Sequence, residues 1–263
     1  MKRKAILFDT TMCIGCKLCE GACAERNGNP YDDAIAAETF QSSHKFTVVL
    51  QRSDVNMRKL CMNCLDPTCV SVCPVGALEK HSAGPVSYWE DRCIGCRYCV
   101  QACPFGVPKY EWSSTNPRVR KCTMCDDRVL AGRPTACAEA CPTGATTFGD
   151  RDELLAEAHK RIRENPGKYV DHVYGETEVG GTSILILSSV PFEQFGYRTD
   201  LLNSPLPELT YQVLSKIPNF VSLGAVLLGG VWWITHRRDE VAAAEGGESA
   251  GKSATVKEGG ANS

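Results

Sequence analysis

Cys93-Ile94-Gly95-Cys96-Arg97-Tyr98-Cys99-Val100-Gln101-Ala102-Cys103-Pro104 puts four cysteines into one short run and ends on proline. The spacing is C-x2-C-x2-C-x3-C. A loop this tight wraps three irons of an iron–sulfur cube, and Gly95 lets the backbone approach it closely. The fourth cysteine follows a short helical turn and points toward a second cube, so groups of this kind work in pairs. Working outward, Cys13, Cys16, Cys19 and Cys23 repeat the same spacing, with Gly15 in the place of Gly95. Cys61, Cys64, Cys69 and Cys73 follow C-x2-C-x4-C-x3-C, and Cys122, Cys125, Cys137 and Cys141 follow C-x2-C-x11-C-x3-C. Pro74, Pro104 and Pro142 close the last three of these groups in chain order.

The chain holds 16 cysteines, all accounted for by these groups. At four thiolates per cube the arithmetic implies four 4Fe–4S clusters. Structural zinc takes two C-x2-C pairs across a spacer rather than four close cysteines ending in Cys-Pro. A disulfide scaffold would staple the whole chain, yet no cysteine follows Cys141. Covalent haem needs C-x2-C-H, and the residues after the pairs are Lys17, Leu65, Arg97 and Asp126. Every ligand slot is filled, which argues against a 3Fe–4S cluster.

The rest of the 263 residues is ordinary in composition, with a formal net charge of −2. No basic footprint suggests nucleic acid. Ala5–Asp9, His44–Arg52 and Gly180–Val190 are expected as strands, and Leu78–Tyr88 as a hairpin. Short helices are expected over Cys16–Cys23, Cys96–Cys103, Cys122–Leu130 and Thr135–Cys141. Arg151–Asn165 carries Leu154, Ala158 and Ile162 on one face, with Asp150 and Glu153 arranged as a capping box. Residues 191–213, with Pro191, Pro205 and Pro207, suggest an extended docking segment.

Ile217–Thr235 has no formal charge over 19 residues. As a helix it spans about 28 Å, close to the roughly 30 Å of a bilayer's hydrocarbon. Trp232 and Trp233 sit near one end, and Ala225 and Gly229 form a small-residue face. His236, Arg237 and Arg238 follow, against Lys216 alone before it, a bias that places the tail in the cytoplasm. Residues 239–263 are low in complexity and expected to be disordered. Within them Gly246–Ser253 matches a phosphate-loop pattern but lacks the preceding strand it requires. No dinucleotide fingerprint and no histidine–acid–nucleophile constellation is present; His44, His81, His159, His172 and His236 are scattered.

Four such groups in this order, with the long gap in the fourth, resemble the iron–sulfur (beta) subunits of the dimethyl sulfoxide reductase family. Cys61–Pro67, Val70–Leu78, Ile94–Cys99, Pro108–Tyr110 and Val190–Glu193 are similar to the branch serving hydrogenase-2. Lys121–Val129, Cys141–Ala145 and Gly180–Thr182 are equally similar to the branch serving respiratory formate dehydrogenases. The resemblance covers about residues 5–238. It implies an α+β fold of two interleaved ferredoxin-like modules with a C-terminal single transmembrane helix. Residues 1–52 and 113–150 would form one module around groups one and four, and residues 53–112 an inserted module around groups two and three. Residues 151–213 would be the docking extension, 214–238 the membrane helix and 239–263 the tail.

Crossed pairing within each module then assigns the ligands. Cluster A takes Cys13, Cys16, Cys19 and Cys141. Cluster B takes Cys122, Cys125, Cys137 and Cys23. Cluster C takes Cys61, Cys64, Cys69 and Cys103. Cluster D takes Cys93, Cys96, Cys99 and Cys73. The resemblance implies a non-catalytic electron-transfer subunit of an oxidoreductase complex. It would link a large catalytic subunit, nickel–iron or molybdopterin, to an integral membrane subunit that is quinone-reactive or carries haem b. A and B would face the catalytic side, and C and D the membrane. Lys17, Arg97 and Lys121 adjoin ligands, although solvated side chains are the first expectation for them. The expected location is the bacterial inner membrane with the clusters in the periplasm. The start Met1-Lys2-Arg3-Lys4-Ala5 carries no apolar export signal, so a signal-bearing partner would carry the chain across. The rival reading is a self-contained iron–sulfur oxidoreductase with its own active site.

Overall fold

The computed structural model describes residues 2–254. In chain order Lys4–Asp9 forms β1, Leu18–Arg26 α1, Asp33–Ala37 α2, Val48–Arg52 β2, Val55–Lys59 β3 and Thr68–Ser71 α3. Leu78–Lys80 forms β4, Val86–Tyr88 β5, Tyr98–Ala102 α4, Lys109–Tyr110 β6 and Val119–Arg120 β7. Asp126–Leu130 forms α5, Ala136–Glu139 α6, Thr146–Asp150 β8, Arg151–Glu164 α7, Ile184–Leu187 β9, Leu206–Leu214 α8 and Ile217–Ala254 α9. The chain divides into two units, the first ending at Leu209 and the second beginning at Thr210.

The first unit mixes short helices with strands around a three-stranded sheet in the order β8-β1-β9. β1 runs antiparallel to β8, with Ile6 opposite Phe148, and parallel to β9, with Ile6 opposite Ile184. Side chains alternate across a strand, so β1 serves two cores at once. Ala5 and Leu7 pack with Leu185, Leu187 and the α7 residues Leu154 and Ala158. Ile6 and Phe8 face the other way, into a core with Met57, Met62, Tyr174 and Ile186 that Cys13, Cys19, Cys64 and Cys141 pack against. Each large apolar side chain buried here contributes about 1.5–3 kcal/mol. The sheet therefore clamps a helix on one side and presents cysteine loops on the other.

Several elements differ from expectation. The expected strand His44–Arg52 starts at Val48 and forms a hairpin with β3, whose polar sequence concealed it; Val49 lies opposite Arg58. α7 begins where the capping box places it, but Asp150 makes no side-chain cap. Its carboxylate instead bonds Lys4 at 2.5 Å, and Glu153 bonds Lys2 at 3.0 Å. The backbone carbonyl of Arg3 takes the first amide of the helix, Arg151 N, at 2.8 Å. Residues 191–197, expected in an extended docking segment, instead send Phe192, Phe195 and Tyr197 into the core beside Tyr174. Tyr197 fixes this segment by donating its hydroxyl to the Arg58 carbonyl at 2.7 Å.

In the second unit α9 continues past the expected boundary at Arg238 to Ala254. Val241-Ala242-Ala243-Ala244-Glu245 is rich in strong helix formers, which propagate the helix into a stretch expected to be disordered. The span Leu206–Ala244 includes a stretch long and apolar enough to cross a membrane, with none of its best window buried.

Candidate metal centres

The first and third cysteine groups are built alike. Each follows a 3-10 turn, Thr10–Met12 or Glu90–Arg92. Each then bends through a left-handed glycine, Gly15 at φ 71° or Gly95 at φ 67°, and a left-handed cation, Lys17 at φ 57° or Arg97 at φ 64°. Side chains larger than hydrogen do not fit at the glycines. A β-carbon on Gly15 would lie 2.6 Å from Asn56 Oδ1, and one on Gly95 2.7 Å from the Pro117 carbonyl. Alternating handedness turns successive amides toward a common centre, the backbone nest found around anions and iron–sulfur clusters. The other two groups make the same bend with Asn63 (φ 45°) and with Met124 and Cys125 (φ 61° and 50°). That bend is why the expected helix Cys122–Leu130 begins only at Asp126, and Cys16–Cys23 only at Leu18.

Groups two, three and four leave through a second shared turn. Gly76, Gly106 and Gly144 are left-handed, each three residues after the last cysteine of its group. Amides beyond the turn then reach back to sulfur: Ala77 N to Cys73 Sγ at 3.3 Å and Thr146 N to Cys141 Sγ at 3.4 Å. Met124 N reaches Cys122 Sγ at 3.3 Å. Group one lacks the proline. Cys23 lies inside α1, and the Asn27 side-chain amide approaches its sulfur at 3.6 Å.

Burial raises most of these thiols, and the charges of other thiols add to it. Burial pushes Cys19 up to about 11, with Cys137 and Cys13 adding to it. Burial raises Cys13, and Cys141 and Cys16 add to that. Cys23 is pushed up to about 12 by burial, then by Cys137 and Cys125. Cys122 rises through burial and then through Cys23, Cys61 and Cys125. Cys64 rises through burial and its neighbours Cys61, Cys103 and Cys69. Cys69 reaches about 12 through burial, with Cys61, Cys103 and Cys99 beside it. Cys99 reaches about 11 through burial and then Cys93, Cys73 and Cys96. Burial also raises Cys141, but amide and hydroxyl donors from Thr146, Thr143 and Ala145 outweigh it and hold that thiol below its usual range.

All sixteen cysteines are free thiols in these neighbourhoods, and Cys16 and Cys96 are exposed. Soft thiolates alone, with amides aimed at sulfur, are the donor set that iron–sulfur clusters take, so the residues present fit the group. Among the described residues no three of His, Cys, Asp and Glu converge on a single-ion position.

Two cations near the thiols carried no signal in the sequence. Arg58 is 1% exposed. Burial pulls its proton affinity down, but Cys137, Cys19 and Cys23 outweigh that and push it up. Lys80 is lowered to about 8 by burial, with Cys64 opposing. Of the flagged cations, Lys121 is buried and donates to the carbonyls of Val86 and Cys122 at 2.6 and 3.1 Å. Lys17 bonds the Ala36 carbonyl at 2.6 Å, and Arg97 lies over Tyr110 and Trp112. A cavity of about 330 Å³ opens beside Cys103, lined by Phe105, Tyr174, Tyr197, Lys59 and Arg198 with neither carboxylate nor imidazole.

Known proteins are similar to this chain in sequence. The family described as the 4Fe–4S dicluster domain matches residues 55–151. The hydrogenase-2 operon protein HybA of Escherichia coli O157:H7 is 37% identical over 232 residues, covering 72% of this chain and 70% of that protein. The chain belongs to the family of iron–sulfur beta subunits. The nitrate-inducible formate dehydrogenase iron–sulfur subunit of Escherichia coli K12 is 36% identical over 200 residues, covering 69% of this chain and 66% of that subunit. A protein of Nitratidesulfovibrio vulgaris Hildenborough is 41% identical over 258 residues, covering 93% of this chain and 70% of that one. Membership accounts for the iron–sulfur motifs.

Proposed function

We propose that this beta subunit is an electron wire of four 4Fe–4S clusters. Cluster A is held by Cys13, Cys16, Cys19 and Cys141, and B by Cys122, Cys125, Cys137 and Cys23. Cluster C is held by Cys61, Cys64, Cys69 and Cys103, and D by Cys93, Cys96, Cys99 and Cys73. Groups one and four, in residues 1–52 and 113–150, make one ferredoxin-like module, and residues 53–112 are the module inserted into it.

The observation that carries this reading is the order of the thiol neighbours. Charge interactions link Cys19 of A to Cys137 of B, Cys122 of B to Cys61 of C, and Cys69 of C to Cys99 of D. The four sets thus form a series, A-B-C-D. The exposed cysteines, Cys16 and Cys96, belong to its two ends. Apolar side chains flank both, Ile14 and Leu18 at one and Ile94, Tyr98 and Trp112 at the other, as docking surfaces require.

The clusters supply one-electron chemistry; the protein's own residues hold them apart, exclude water and aim amides at sulfur. By likeness to the hydrogenase-2 and formate dehydrogenase relatives, A faces a large catalytic subunit bearing nickel–iron or molybdopterin. D faces a quinone-linked or haem b subunit in the bacterial inner membrane. Ile217–Thr235 anchors the chain once, with Arg237 and Arg238 on the cytoplasmic side and the clusters in the periplasm.

Purification of the membrane complex tests the reading. The chain should come with a large cofactor-bearing subunit, turn over no formate or hydrogen alone, and be cut in its cluster region by protease added to intact spheroplasts. Substrate turnover by the isolated chain would overturn the wire, and cleavage only in inverted vesicles would overturn the orientation.

A further inference from the structure

The β2–β3 hairpin carries a guanidinium into the interior that no carboxylate accompanies. Arg58 Nε donates to Thr47 Oγ1 at 2.8 Å and Nη1 to Thr146 Oγ1 at 3.3 Å. Both hydroxyls are neutral. Among the described residues Arg58 forms no ion pair with Asp or Glu. Glu20, the buried carboxylate on neighbouring α1, is already engaged by Lys45 at 3.0 Å, Tyr31 at 2.8 Å and the Val49 amide at 2.5 Å. A buried cation without a counter-charge is costly and persists only where an anion faces it. Thr146, which takes Nη1 of Arg58, donates its own amide to Cys141 Sγ at 3.4 Å, and the sulfurs whose charge as cluster ligands would act on Arg58 are those of Cys137, Cys19 and Cys23. Cys19 belongs to cluster A, and Cys23 and Cys137 to cluster B.

We infer that Arg58 is a fixed positive charge set between clusters A and B, raising the reduction potentials of both. The inference rests on the ligand assignment proposed above. Arg58 acts through the clusters and touches no substrate, so it is a positioning residue for charge. The step it acts on is one-electron transfer between the two cubes: one is oxidised as the other is reduced, with no bond made and no proton released. Reduction adds negative charge to a cube, and a cation in a low-dielectric interior favours that state. Arginine suits the task because its planar fork stays charged when buried and holds two hydroxyls while its charge acts on the sulfurs. Clusters C and D have their own cations: the charge of Lys121 acts on Cys69 and that of Lys80 on Cys64 of cluster C, and the charge of Arg118 acts on Cys93 of cluster D. The effect of Arg58 is therefore local to A and B.

Redox titration of the purified complex, followed by electron paramagnetic resonance, tests this. Signals of A and B are assigned with Cys16→Ser and Cys125→Ser. In Arg58→Gln, reduction of A and B should become at least tenfold less favourable, a downward shift of about 59 mV or more for a one-electron couple. C and D should stay in place. Arg58→Lys, which keeps the charge, should restore A and B toward their wild-type potentials. Unchanged A and B in Arg58→Gln, or an equal fall in Arg58→Lys, would overturn the inference. Should Arg58→Gln lose A and B while Arg58→Lys retains them, charge compensation is supported. Loss in both variants would show a packing role and overturn it. Iron content of the wild type separates these outcomes from failure of the cluster assignment, which would show as fewer than four clusters before any substitution.

Discussion

Cys13–Cys23 and Cys93–Cys103 have the same cysteine spacing and the same left-handed glycine and cation, yet they are set in different surroundings. In the first loop the last cysteine lies inside α1, with the side chain of Asn27 as a sulfur donor. In the third the last cysteine ends α4 before Pro104, and backbone amides of Val107, Phe105 and Gly106 serve Cys103. Lys17 is tied to the Ala36 carbonyl, whereas Arg97 lies on the rings of Tyr110 and Trp112. The shared part is what a cube demands of the backbone. On the wire proposed above, the divergent part is what each end would need for its own potential and its own partner.

The largest expected effect separates the two ends. Cys96→Ser should perturb cluster D alone and reduce quinone-linked activity at least tenfold, while a dye coupled at the catalytic end still accepts electrons. Cys16→Ser should impair both activities, because electrons then fail at the first step. Equal loss of dye and quinone activity in Cys96→Ser, with the complex intact, would place group three at the wrong end.

A smaller effect sharpens the contrast between the two exits. Asn27→Leu removes the amide near Cys23 Sγ, and one hydrogen bond contributes about 0.5–1.5 kcal/mol. Cluster B should fall by about 20–60 mV at 59 mV per tenfold. Clusters C and D should not move. A shift confined to D would contradict the assignment of Cys23 to B.

The iron–sulfur character was legible in the sequence because ligation depends on residue type and spacing, and a cube tolerates few spacings. β1, the β4–β5 hairpin and α7 were legible through alternation and periodicity. β3 was not: Asn56, Met57 and Arg58 look like surface, and only pairing with β2 buries them. Arg58 was missed for the same reason, since no motif marks a cation whose partners lie on α1 and α6. Phe192 and Phe195 were hidden by their prolines, which punctuate a segment without saying which face it buries. Asp150 had the right position for a cap but a closer cation, Lys4, on the neighbouring strand.

We place four cubes on this one chain. Iron and acid-labile sulfide, measured per chain in anaerobically purified complex and corrected for metal in the partner subunits, test it most directly. Four Cys-ligated cubes predict about sixteen irons and as many sulfides on this chain. A reproducible value near eight in fully loaded protein, or stoichiometric zinc in place of iron, would contradict the account.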